Sequence, residues 1–184
     1  MTDTNTAART MHDVGLAAWF GGSLMGAIGL NGAAAQVDDP GQRARVANAG
    51  WARWTPVNLG AIGAHLLGGG MLTWANRGRM ATQQGVAGVS AAKTAVTVAA
   101  LGATGYARVL GQKMMDAGDV PVEGGTSPSA ATPPEVAGAQ RQLNMLQWVI
   151  AGLTGMLIWI TAYMGEQQRP QEVASGMLSR LMGK

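Results

Sequence analysis

The sequence predicts an all-α membrane protein, a four-transmembrane-helix bundle with short interfacial helices. Three observations predict it. Charged residues make up only 12% of the 184-residue chain, about half the share usual in soluble domains. Glycine numbers 28 and there is one Phe; glycine is a poor helix former in water, but in lipid it lets helix backbones approach closely. Charge is also absent between Asp13 and Asp38, between Arg53 and Arg77, and between Arg141 and Glu166, gaps of 23 or 24 residues. About 20 apolar residues span a bilayer.

These gaps place helices at 14–36, 54–76 and 143–165. A further one at 88–110 carries Lys93 and Arg108 near its ends, where their heads can reach the interface. Residues 1–13 form a polar N-terminal tail before the transmembrane domain, 14–165. Ala33-Ala34-Ala35 mimics a leader cleavage site, but the preceding apolar run is long and the leading segment weakly basic, so the first helix is expected to be retained. Asp39-Pro40 reads as an N-cap with proline in the first turn, opening a short surface helix to about Ala49. Thr55-Pro56 repeats that signal and should start the second spanning helix sharply. Trp51, Trp54 and Trp74 fit interfacial anchors, with an apolar ring and a wet N–H. The segment 116–138, rich in Pro, Gly, Ser and Thr, reads as a flexible loop. Residues 166–184 form a polar tail whose Val173, Met177, Leu178 and Leu181 give a weak amphipathic pattern. Lys and Arg divide almost evenly between the two sides; placing the acidic Pro-rich loop outside puts both termini in the cytoplasm of a plasma-membrane protein.

Small residues recur at helical spacing: Ala18, Gly22, Gly26 and Gly29 on the first helix, and Gly60, Ala64 and Gly68 on the second. The third carries Ala91, Ala95, Ala99, Ala103 and Ala107. Such strips predict close helix packing. The fourth helix, apolar almost all round, reads as peripheral and lipid-facing.

Polar residues inside the spans are few: chiefly Asn31, Asn58, His65 and scattered Ser and Thr. An intramembrane ionisable group raises a functional hypothesis. A bis-imidazole haem needs two histidines, and His12, placed before the first helix, is not expected to reach His65. No second histidine or carboxylate shares its depth for a metal. The simplest role for His65 is a hydrogen bond to Ser23, Asn31, a threonine or a backbone carbonyl across a helix interface; a quinone contact is the sharper alternative. No nucleophile–base set emerges, and Gly68-Gly69-Gly70 lies inside a span, so it is not a phosphate loop. No cysteine is present, which excludes disulfides and thiolate chemistry. No basic cluster or stacking array argues for nucleic acid. No catalytic, cofactor or metal site is therefore assigned to this chain, although membrane lipids are expected to bind it structurally.

The stretches AAWFGGSLMGAIGLNGAAAQV and WARWTPVNLGAIGAHLLGG resemble small four-helix membrane proteins of actinobacteria, in particular the accessory subunit of the cytochrome bcc–aa3 respiratory supercomplex. The resemblance is best over the first two helices and carries no catalytic residues. It implies a non-catalytic subunit that stabilises or bridges larger membrane subunits passing electrons from menaquinol to oxygen. Haem, copper and menaquinone would then belong to the partners, cytochrome bcc and aa3 oxidase. Two other readings stand beside it: a small transporter or channel, and a quinone-interacting membrane oxidoreductase using His65.

Overall fold

The computed structural model describes residues 5–83 and 85–167. The amphipathic pattern expected in the C-terminal tail lies outside them. The chain forms α1 (Thr6–Met25), a π-turn (Gly26–Leu30), α2 (Asn31–Ala35), α3 (Pro40–Ala75), α4 (Arg77–Thr82), α5 (Val86–Asp116) and α6 (Pro134–Glu166). A short antiparallel hairpin, β1 (Val122–Gly124) and β2 (Ser127–Pro128), joins α5 to α6.

The chain is an all-α membrane protein. Three of its helical rods are long and apolar enough to cross a membrane: Thr6–Ala35, Val86–Asp116 and Pro134–Glu166. That is one fewer than the four expected from the sequence. The helix containing 54–76 exists, but Asn58, His65 and Gly68-Gly69-Gly70 dilute its apolarity below that of the others.

The rods form two antiparallel pairs. Along α1 and α3 the neighbours run in opposite order: Gly68 abuts Ala8 and His12, Gly15 abuts Ala61 and His65, and Gly22 and Gly26 lie under the rings of Trp54 and Trp51. On α5 and α6, Tyr106 donates a hydrogen bond to Gln142, and Lys113 approaches Glu135 at 3.9 Å. The pairs meet through α1 and α6 around Leu16, Trp19, Ile62, Ala100, Ile150 and Leu157. In lipid the surrounding medium is as apolar as this core, so contact and hydrogen bonding, rather than release of water, hold the rods together.

Several boundaries differ from the sequence expectation. The first helix starts at Thr6, not residue 14, because neither His12 nor Asp13 interrupts it. No break separates a surface helix from a spanning one: α3 runs through Pro56. Thr55 Oγ1 donates to Trp51 O at 2.8 Å within the helix, and a membrane helix tolerates the missing proline N–H. Asp39 does cap α3, accepting from Gly41 N at 2.9 Å.

Trp51 and Trp54, expected as interfacial anchors, turn inward, and both rings fill the space left by glycines of α1. Trp74 is 71% exposed, and the Arg77 guanidinium lies 4.5 Å over its ring. The small-residue strip of the first helix holds only as far as Gly26. The π-turn inserts one extra residue per turn there and rotates the following face, so Gly29 meets only Met25 of its own turn while Asn31 and Ala34 are buried. On α5 the ribbon turns outward: Ala91, Ala95 and Ala99 are exposed, and Ala100 packs instead. Only Ala103 and Ala107 of the ribbon touch the core. The α6 helix is not the peripheral one; 33% of its apolar window is buried within the chain, against 11% for α5.

The segment expected to be a flexible loop is a docked cap. Gly118, at φ +69°, ends α5 in the left-handed conformation that glycine adopts without strain. Val122 is fully buried. Thr132 Oγ1 donates to Pro121 O at 2.6 Å, and Gln140 Nε2 donates to Gly124 O at 3.1 Å. Arg45 of α3 forks onto the Asp119 carboxylate. Side-chain bonds to backbone therefore hold a segment whose composition alone could not build a core.

Candidate functional site

The bundle has a polar cluster at each end of its apolar middle. The hairpin-end cluster centres on Asn31, 7% exposed. Its Nδ2 donates to Gln147 Oε1 at 2.8 Å and its Oδ1 accepts from Trp51 Nε1 at 3.1 Å. One carboxamide thus joins α2, α3 and α6. At the other end Arg79 and Gln83 both donate to Gln167 O, at 2.9 and 3.2 Å, tying the α3–α5 connection to the end of α6.

The ionisable cluster lies between α1, α3 and α5, toward the terminal end. His12 and His65 are packed ring to ring, with centroids 4.4 Å apart and planes tilted 41°. This overturns the expectation that His12 could not reach His65. Because α1 begins early and runs antiparallel to α3, His12 comes level with His65. Gly15 and Gly68 allow the two backbones to touch: a Cβ at Gly68 would lie 2.5 Å from Ala8 O and His12 N. The missed signal is the spacing Ala8, His12, Gly15–Leu16, Trp19, Ser23, which carries the buried helix face upstream of the charge-free gap.

The partners fix the tautomers. A lysine ammonium only donates, so His12 Nε2, 2.8 Å from Lys93 Nζ, is the acceptor. His12 Nδ1–H then donates to Asp13 Oδ1 at 2.6 Å. A carbonyl only accepts, so His65 Nδ1–H donates to His12 O at 3.2 Å. The edge of Trp19 closes the His65 side at 6.2 Å between centroids, and Trp19 Nε1 donates to Thr104 Oγ1 at 3.2 Å. The His12 side chain is 1% exposed and that of Asp13 60%, so the chain Asp13–His12–Lys93 leads from the surface to a partly buried amine. The side chains expected to bond His65 are engaged elsewhere: Ser23 donates to Trp19 O at 2.8 Å, and Asn31 lies in the opposite cluster.

This geometry does not suit haem ligation. Two axial imidazoles must face each other across a flat macrocycle, and these rings lie against one another, with three of their four nitrogens already bonded. Among the described residues no group of three His, Cys, Asp or Glu converges to hold a metal.

The remaining sequence-predicted residues are dispersed. Ala18 and Ala64 line a shallow groove along the α1–α3 seam. Gly60 faces open space, with nothing within 4 Å of an added Cβ. Asn58 is not part of either cluster; it lines a cavity between α3 and α5. Comparison with protein-family models, with curated proteins and with solved structures finds no match for this chain.

Proposed function

We propose that the chain is a non-catalytic accessory subunit of an actinobacterial respiratory membrane assembly, the one its first two helices resemble, and that it stabilises or bridges the larger subunits passing electrons from menaquinol to oxygen. In this reading α3 is a fourth crossing, packed along α1 from the Trp51–Gly26 contact to the Gly68–Ala8 contact, in a plasma-membrane protein with both termini in the cytoplasm. One observation carries the non-catalytic role. The buried ionisable groups bond one another, so His12, His65 and Lys93 act as a clasp between three helices rather than as groups turned toward a substrate. The outward faces support a partner-bound subunit. The apolar window of α5 is only 11% buried by its own chain, and Val98 and Val109 are both more than 60% exposed. Lipid covers such a face, and so does the flank of a larger helical subunit.

The Asp13–His12–Lys93 chain favours one second reading, a small proton-coupled transporter, because it connects an exposed carboxylate to a partly buried amine. A quinone site at His65 is disfavoured, since that side chain is 3% exposed and does not line the cavity. Affinity purification from native membranes in mild detergent, with haem difference spectra and subunit identification, separates these readings. The accessory role predicts co-elution with a haem-bearing oxidase. A lone particle that moves protons in liposomes, and loses the flux in Lys93→Met, would replace it with the transporter.

A further inference from the structure

The two antiparallel pairs meet closely through α1 and α6, whereas α3 and α5 stand further apart. The gap between them is a cavity of about 480 Å³, within the range of small-ligand sites, about 300–1,000 Å³. Its walls are apolar toward both ends, with Ile62 and Leu101 on one side and Met114 and Met115 on the other. Most polar groups among them are committed. Ser23 donates to Trp19 O, Thr55 to Trp51 O and Asn48 to Met114 O, and Gln147 is held by Asn31 and Asn144.

Two lining groups are not. Asn58 Oδ1 is buried and, among the described residues, receives no hydrogen bond. Thr104 Oγ1 accepts from Trp19 Nε1 at 3.2 Å, but its own O–H has no acceptor among the described residues. Thr94, Thr97 and Thr154, by contrast, each return theirs to the carbonyl four residues back. Asn58 and Thr104 stand at one depth on opposite walls. Residue 58 lies between the Gly22–Trp54 and Gly15–Ala61 contacts, level with Trp19, and Trp19 bonds Thr104. One wall thus lacks a donor and the other an acceptor. A hydroxyl serves both, because it donates one hydrogen bond and accepts others. An acceptor-only group, such as a ketone or an ester, leaves Asn58 unmet. The χ2 torsion of asparagine is soft, so a small turn of the carboxamide presents Oδ1 to an occupant. A single water would bridge the same two groups, but its share of volume is only about 30 Å³. A hydroxyl carried on an apolar body also covers Ile62 and Leu101.

We infer that this cleft binds a neutral, membrane-soluble alcohol or phenol, whose O–H donates to Asn58 Oδ1 and whose oxygen accepts from Thr104. The site is built by this chain alone and does not rest on the respiratory reading. Gly105 supplies the means to close it. It lines the cavity, and a side chain added there starts in open space, with nothing within 4 Å.

The test is thermal unfolding of the purified full chain in detergent at neutral pH, titrated with naphthol or with its methyl ether, methoxynaphthalene. The two probes share an apolar body and an acceptor oxygen and differ in the O–H donor. Naphthol should raise the midpoint saturably, and methoxynaphthalene should need about tenfold more, the worth of about one hydrogen bond. Asn58→Leu should bring the two probes level. Gly105→Leu should abolish the response to both while melting normally without them. No saturable response to naphthol, equal responses to the two probes in the unaltered chain, a preference that survives in Asn58→Leu, or an unchanged naphthol response in Gly105→Leu would each overturn the assignment.

Discussion

Replacing Gly68 by alanine probes the seam on which the bundle depends. An added Cβ would lie 2.5 Å from Ala8 O and His12 N, and 3.0 Å from His12 Cα, where ordinary contact begins at 3.4 Å. All three are backbone atoms of α1, so no side-chain rotation relieves the overlap and the helix itself must move by about 1 Å. Overpacking of this kind costs about 1–3 kcal/mol. Moving α1 at His12 also stretches the His65–His12 hydrogen bond, already 3.2 Å long, whose net worth is about 1 kcal/mol. Gly68→Ala should therefore destabilise the protein by about 2–4 kcal/mol. Gly60→Ala is the control: it lies on the same helix and its Cβ meets nothing within 4 Å. It should change stability by less than about 0.5 kcal/mol, as surface substitutions usually do. Reversible unfolding in mixed micelles titrated with a denaturing detergent reads both. Equal stabilities for the two variants would refute the claim that α1 and α3 touch through backbone at this point.

Asn31→Leu should cost about 2–3 kcal/mol in the same assay, because Trp51 Nε1 and Gln147 Oε1 are left without the partner they share; a change under about 0.5 kcal/mol would show that the hairpin-end clasp is replaceable. His65→Leu should cost only about 1 kcal/mol, since hydrogen bonds between membrane helices are modest, and, on the proposed accessory reading, should leave quinol oxidation by the assembled complex intact; complete loss of turnover in correctly assembled complexes would refute the structural role. The Arg45 guanidinium holds the exposed Asp119 carboxyl below its ordinary value of 3.8. The pair's contribution is therefore fully present above about that pH and fades as pH falls through the lower folded value. The protection of the Val120 and Val122 amides, measured as exchange relative to the unstructured chain at the same pH, should fall only in strong acid, and Asp119→Asn should abolish that fall.

How much was legible follows from which physical signals are local. The early boundary of α1 was not, because a histidine and an aspartate at a helix end look like tail residues until antiparallel α3 brings His65 alongside and α5 presents Lys93 to His12. The π-turn was equally silent: nothing in Gly26–Leu30 announces an extra residue in the turn, yet it moves Gly29 off the packing face and Asn31 onto it. Trp51 and Trp54 carry the composition of interfacial anchors, and only the glycines opposite them show why they turn inward. Conversely, the caps at Asp39 and the apolar stretches of α1, α5 and α6 depend on neighbours in sequence and could be read directly. The cleft at Asn58 required three helices to be placed before a lone asparagine became a lining residue.

The claim that most needs testing is that α3 crosses the membrane beside α1 although it is the least apolar of the long rods. The sequence contains no cysteine, so single cysteines can be placed at Gln42 and at Gly78, both exposed and near opposite ends of α3. Labelling with a membrane-impermeant maleimide in sealed vesicles of known orientation reads their sides. Four crossings predict that the two positions react from opposite faces of the membrane. Reaction of both from the same face would contradict the four-rod bundle and leave α3 as a helix that does not span.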